Sequence, residues 1–313
     1  MKKILILQTR PGIGDLCIFL SAMHEIAKKN PEKEITLITA TRTKADEILE
    51  NDPYIKKIIF LDKDIYNYKE GFFSKFFKLK KFISQENFSK AFIMHYGIRY
   101  RSICKIAGVG EIFSYPIFKK KDNISKKIYD QTREWLKINS YNRNANLKIS
   151  NSNTNNKKNI IIGIGSSGLS RRWELKKFIN VIKFLNSKNQ FNFIIAAGKN
   201  EENDSNEIIS NVGENINISS MCNDSIGEAL KKIKNSFIYF GTDSAFMHLS
   251  AGLKVKSFAL FGDTPTNYAE YSDLIKPILP DGFNEIGHDS NAMHLIDESK
   301  VCNILEKYLS ESV

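Results

Sequence analysis

The chain of 313 residues is long enough for two domains of ordinary size, and its composition, 42% hydrophobic and 26% charged, is that of a folded globular protein. No window approaches the roughly eighteen apolar residues of a membrane span, and the apolar run after Lys2 and Lys3 is too short for a signal-peptide core, so the expected location is the cytoplasm. The net charge of +11 is uneven: residues 1–150 hold 29 basic against 16 acidic side chains and residues 151–313 hold 17 against 19, which suggests an anionic partner for the front half unless lysine is simply the solubilising residue of choice.

In chain order, the first apolar run predicts a strand at 4–8, followed by RPGIGD (10–15) and a helix over 16–29. In this turn Pro11 and Gly12 reverse the chain, Gly14 lets a substrate approach the backbone, and Arg10 and Asp15 flank it. Asp15 reads either as the N-cap of that helix or as a general base toward a hydroxyl. Further strands are expected at 35–39, 57–61 and 91–95. Between them EGFFSKFFKLKKFI (70–83) puts Phe72, Phe76, Leu79 and Ile83 on one helical face, with Lys75, Lys78 and Lys81 around the rest. That segment either completes a core or lies in a membrane interface. The Asn-rich stretch 139–159 is too polar to order itself well and reads as a linker, which divides the chain into domains 1–150 and 151–313.

In the second half strands are expected at 160–164, 191–196, 216–219, 237–240 and 257–260, with helices at 175–186 and 245–253. IIIGIGSSGLSRRW (160–173) runs a buried strand into small residues, among them Ser166 and Ser167, and then into Arg171 and Arg172. Amides and hydroxyls followed by guanidinium groups suit a phosphate, although the P-loop pattern is absent. FIYFGTDSAFMHLSAGL (237–253) again ends a strand at a helix start, with Asp243, Ser244 and His248 in the first turns; LFGDTPT follows, with Thr264. Alternating strands and helices predict an α/β protein with parallel sheets, which bind ligands at the carboxyl ends of their strands. Cys17, Cys104, Cys222 and Cys302 lie far apart and none of the five histidines has a ligand spacing, so buried reduced thiols and no metal site are expected. A nucleic-acid-binding reading of the basic charge is weakened because no recognisable module gathers it.

Taken together, the [RS]-x-x-x-G-D turn, the G-x-S with [KR]-x-W, and the D-S-[GA]-x-x-H-L-[AS]-A followed by LFG-x-T closely resemble the family 9 glycosyltransferases, the heptosyltransferases of lipopolysaccharide biosynthesis. The landmarks occur in the family's order along nearly the whole chain, with none in residues 56–137. The resemblance implies a GT-B fold, two Rossmann-like domains with parallel sheets facing across a cleft. It also implies an inverting, metal-independent transfer with no cofactor, from a nucleotide sugar such as ADP-heptose bound by the C-terminal domain to an anionic glycolipid acceptor bound by the N-terminal domain. Carried over by position, Asp15 would be the base, with Arg10, Gly12 and Gly14 in the acceptor-side loop, and Arg171 would neutralise the leaving diphosphate. Ser166, Ser167, Asp243, Ser244, His248 and Thr264 would bind the donor, and Glu202, preferred over Glu201, its ribose. Arg171 stands where the family usually has Lys, Ala245 where it has Gly, and Asp263 where it commonly has Pro. Those departures leave another nucleotide sugar open as the donor. The implied location is the cytoplasm, with peripheral contact on the inner membrane left open.

Overall fold

Ile4, Leu5, Ile6 and Leu7 are all fully buried, because the first strand lies at the centre of a sheet covered on both faces and has no solvent side to leave polar. The structure, a computed structural model, describes residues 3–31, 34–67, 69–116, 123–150, 158–166 and 168–312. It divides into two units, Met1–Lys148 and Ile149–Val313.

The first unit runs β1 (Lys3–Leu7), α1 (Ile13–Lys28), β2 (Glu34–Thr39), α2 (Ala45–Ile48), β3 (Ile55–Phe60), α3 (Phe72–Glu86), β4 (Phe88–Ile93), α4 (Ile98–Ile106), β5 (Glu111–Ser114) and α5 (Ile124–Leu136). Among the described residues its strands form a wholly parallel sheet in the order β3-β2-β1-β4-β5. The order reverses direction between β1 and β4, and such a switch point opens a crevice at the carboxyl ends of those strands.

The second unit runs β6 (Asn159–Gly163), α6 (Leu175–Lys188), β7 (Asn192–Ala196), α7 (Glu202–Val212), β8 (Asn217–Ser220), α8 (Ile226–Lys234), β9 (Ile238–Thr242), α9 (Ala245–Gly252), β10 (Lys256–Leu260), β11 (Ile275–Ile278) and α10 (Glu298–Ser312). Its sheet is parallel in the order β11-β10-β9-β6-β7-β8, with the switch between β6 and β9. Trp173, Phe178 and Phe240 meet edge-to-face or tilted in its core, and the Trp173 indole donates to the Ile296 carbonyl at 3.1 Å, tying the loop after β6 to the segment before α10. All four cysteines are buried thiols without a disulfide.

Several expected boundaries move for local reasons. The strand expected at 91–95 begins at Phe88, since Asn87 closes α3 in the left-handed conformation (φ 55°) and the chain re-enters the sheet at once. Helix α1 begins at Ile13, three residues early, with Gly12 as its cap. The edge strands β5 and β11 went unanticipated: four residues show no periodicity, and Pro277 argues against a strand except at an edge. The linker reading needs correction over its first half. Ala145 and Leu147 are buried, and Tyr141 packs its ring 4.9 Å from Tyr129 of α5, so this polar stretch is anchored to the first unit by three apolar or aromatic residues. Residues 151–157 lie outside the described residues. In α3, Leu79 and Ile83 enter the core and Phe76 packs partly against it, but Phe72, expected on the same face, is exposed.

Candidate functional site

In the first unit the loop after β1 enters α1 through Gly12, whose backbone N–H donates to Asp15 Oδ2 at 3.2 Å. Arg10 Nε donates to the other oxygen, Oδ1, at 2.5 Å. Asp15 is therefore not the cap residue itself; it sits one turn into the helix and reaches back to the cap. Gly12 is required by closeness, since a Cβ there would come within 2.9 Å of Oδ2. Gly14 lies in the first turn of α1. With two donors on its two oxygens, the Asp15 carboxylate is fixed in direction and keeps lone pairs for a further donor.

The loop after β4, across the switch point from β1, adds groups that sequence reasoning missed. The Arg99 guanidinium lies 4.8 Å from the Phe72 ring and 5.4 Å from that of Tyr100, and its Nε and Nη2 are buried without a hydrogen-bond partner. His95 stands edge-on to Tyr100 at 5.1 Å, and burial, with the Arg99 and Arg10 charges, pushes its pKa down. Burial likewise pushes the Tyr66 phenol up to about 12. The signal was present in GIRYR directly after a strand, but it matches no motif.

In the second unit the expected residues gather at the carboxyl ends of β6, β7, β9 and β10. Gly163 and Gly241 face each other across β6 and β9, and a Cβ on Gly163 would collide with the Tyr239 ring. The space lets the Tyr239 hydroxyl donate to the Thr242 carbonyl at 2.7 Å and meet Ser244 Oγ at 3.2 Å, bracing the turn into α9. Thr242 Oγ1 in turn donates to the Gly165 carbonyl at 2.5 Å, joining the two loops. Ser166 Oγ donates to the Gly168 carbonyl at 2.8 Å; Ser167 lies outside the described residues.

Arg171 and Arg172 part company. Arg172 pairs with Asp204 of α7 at 3.2 Å, whereas Arg171 Nε lies 4.0 Å from Asp263 Oδ2. Asp263 also accepts from Ser170 Oγ at 2.6 Å and from the Asn291 backbone N–H at 2.8 Å. Burial would raise its carboxyl, but these donors and the Arg171 charge win and hold it below the ordinary carboxylate range. Asp243 is the opposite case: burial pushes it up to about 6 against the pull of the Thr264 hydroxyl and the Arg171 charge. His248 Nδ1 lies 3.0 Å from the Tyr271 hydroxyl and Nε2 lies 3.8 Å from Asp243 Oδ1. Burial holds this imidazole down to about 3, so it is neutral near pH 7.

Of the two glutamates after β7, Glu201 turns back to accept from the Gly198 N–H at 2.9 Å, and a Cβ on Gly165 would lie 3.8 Å from its carboxylate. Glu202 accepts from Asn223 Nδ2 at 2.8 Å. Glu201 is thus the one beside the β6 loop. Among the described residues no group of three or more His, Cys, Asp or Glu is placed to hold a metal ion.

The model of Glycosyltransferase family 9 (heptosyltransferase) matches residues 118–280, just over half of the chain. The chain belongs to glycosyltransferase family 9. A stretch of 121 residues is 35% identical to a lipooligosaccharide heptosyltransferase 2 of Campylobacter jejuni, and it spans 38% of this chain and 37% of that relative's length. Across whole chains the fold is similar to that of a glycosyltransferase family 9 protein from Veillonella parvula (TM-score 0.79, 16% identity, 99% of this chain and 98% of that one). It is also similar to ADP-heptose LPS heptosyltransferase II of E. coli (TM-score 0.73, 15% identity, 99% of each chain) and to an E. coli heptosyltransferase solved with ADP (TM-score 0.73, 9% identity, 97% and 99%). With two parallel α/β units and these neighbours, the family 9 chain has the GT-B fold. The matched span contains Ser166, Arg171, Glu202, Asp243, Ser244, His248 and Thr264, while the turn holding Arg10 and Asp15 lies upstream of it.

Proposed function

We propose that this family 9 protein transfers a sugar, heptose from ADP-heptose, to an anionic lipopolysaccharide inner-core or related glycolipid acceptor, with inversion at the anomeric carbon. The observation that carries the reading is the cluster at the carboxyl ends of β6, β9 and β10, where Asp263 holds the loop of Arg171 beside the buried Asp243 and the start of α9. The amides of a helix start and a tethered guanidinium suit a diphosphate that gains charge as its bond to the sugar breaks. Ser166 and Ser244 supply further donors, Glu201 or Glu202 holds the ribose, and no metal is given a step.

In this reading Asp15 takes the proton of the acceptor hydroxyl as that oxygen forms its bond to the anomeric carbon, on the face opposite the departing diphosphate. Arg10 and the Gly12 amide hold the carboxylate in place for it. Arg99, with two unpartnered nitrogens after β4, suits an acidic group of the acceptor. Among the described residues no helix is long and apolar enough to cross a membrane. Transfer to a lipid-linked inner-core acceptor would put the enzyme on the cytoplasmic side, meeting that acceptor at the inner membrane surface.

The experiment is release of ADP from ADP-heptose with a Kdo-lipid acceptor, comparing wild type with Asp15→Asn. Near-normal turnover in the folded variant rejects the assigned base. Arg171 and Ala245, both departures from the usual family residues, favour a second reading with the same chemistry and a different nucleotide sugar. Calorimetry with a panel of nucleotide sugars separates the two.

A further inference from the structure

Helix α3 is buried at one end and bare at the other. Leu79 and Ile83 enter the core of the first unit, yet Phe72, Phe73 and Phe77 in its first two turns are 57%, 75% and 63% exposed. On the neighbouring α4, Ile98 and Ile106 are 60% and 61% exposed. Ser84 Oγ donates to the Ala107 carbonyl near the ends of the two helices, and Arg99 covers Phe72 near their starts, so α3 and α4 run side by side in the same direction. Five of the eight exposed large hydrophobic side chains among the described residues lie on this pair, which makes a patch rather than the scatter normal for a surface.

Around these side chains the exposed positions include four cations, Lys78 and Lys81 on α3 and Arg101 and Lys105 on α4, beside the neutral Ser74. The nearby acid Glu70 is already paired with Lys78 at 2.6 Å. A second copy of this face would set lysine against lysine, whereas an anionic bilayer satisfies both halves of the pattern, rings for the acyl boundary and ammonium groups for lipid phosphates. The patch also continues toward the site, because Phe72 lies under the Arg99 guanidinium, whose Nε and Nη2 are buried without a hydrogen-bond partner at the start of α4. A saccharide on a lipid held by this face emerges beside Arg99.

We propose that the exposed face of α3 and α4 docks the first unit on an anionic lipid bilayer, with Phe73 and Phe77 entering the interface and the lysines contacting phosphates. The purpose given to it, delivery of a lipid-linked acceptor, rests on the proposed function; the docking itself does not.

The test is co-sedimentation of the full chain with vesicles of phosphatidylcholine alone and of phosphatidylcholine mixed with phosphatidylglycerol. Binding to the mixed vesicles is expected, weakened at least about tenfold by Phe73→Ser with Phe77→Ser and by a similar factor by Lys81→Glu with Lys105→Glu, while the melting temperature stays put. Unchanged affinity of the phenylalanine variant, equal binding to neutral and anionic vesicles, or a wild-type dimer that this variant dissolves overturns the proposal. Vesicle binding by a chain found inactive as a transferase supports docking and overturns only the transferase reading.

Discussion

Asp263 Oδ2 lies 2.6 Å from Ser170 Oγ and 4.0 Å from Arg171 Nε, so one carboxylate after β10 fixes the loop that follows β6, more than ninety residues earlier in the chain. Arg171 is 28% exposed in its side chain, and without the tether a long side chain there would sample many rotamers. Asp263→Ala is expected to raise the dissociation constant for ADP about tenfold, the cost of one lost charge-assisted contact. Calorimetric titration with ADP measures it, and Arg171→Ala in the same background should add little if the two residues act as a unit.

The geometry at Asp15 separates chemistry from positioning. Asp15→Asn keeps the shape and removes the base, and a fall in kcat of about a hundredfold or more is expected with ADP binding unchanged. Gly12→Ala keeps the carboxylate but places a methyl 2.9 Å from Oδ2, closer than van der Waals contact allows, so the carboxylate must shift. That variant should lose about tenfold in kcat by misdirecting the same group. Single-turnover measurements with saturating donor distinguish the two effects from binding.

Which parts of this were legible in the sequence follows from where each signal resides. Central strands such as Ile4 to Leu7 are buried on both faces and announce themselves as apolar runs; the four-residue edges Glu111–Ser114 and Ile275–Ile278 have too little pattern to do so. Gly163, in the small-residue stretch that suits a phosphate, also makes room for the Tyr239 ring where a side chain would stand, and Gly241 lets the Gly163 backbone approach, facts of packing that no linear motif carries. The tether role of Asp263 and the place of Arg99 escaped for the same reason, since their partners Arg171 and Phe72 are remote in the chain or on a different helix. Within GKNEEN two adjacent acids differ only in rotamer and neighbours, and it took coordinates to see Glu201 turn toward Gly165 and Glu202 toward Asn223.

The raised Asp243 carboxyl makes donor affinity depend on pH. Its pKa near 6 means that it is largely protonated at pH 5 and ionised at pH 8. A diphosphate bound beside it would oppose the ionised form, so binding takes up a proton and affinity is expected to rise as pH falls through 6. His248, held down to about 3, stays neutral over this range and adds nothing to the slope. Titrations of ADP from pH 5 to 8 should show the trend, and Asp243→Asn should flatten it.

Buried polar pairing also sets the acid stability of the first unit. His24 Nε2 and Asp52 Oδ2 lie 2.7 Å apart at a buried site, and Asp52 Oδ1 accepts the backbone N–H groups of Tyr54 and Ile55, each at 2.9 Å. Burial alone would raise the Asp52 carboxyl, but the His24 contact and these amides outweigh it and hold the pKa below its ordinary value. A carboxyl lower in the folded than in the unfolded chain contributes stability in full above the unfolded value of about 3.9, and that contribution drains away as pH falls through the folded value. Asp52→Asn leaves His24 and the turn amides with a weaker acceptor and should cost about 3 kcal/mol near pH 7. The difference between variant and wild type should narrow below pH 4, because the wild type then carries a neutral acid at the same place. Urea unfolding of both proteins from pH 3 to 7 provides the comparison, and a gap independent of pH would assign the loss to packing in place of charge.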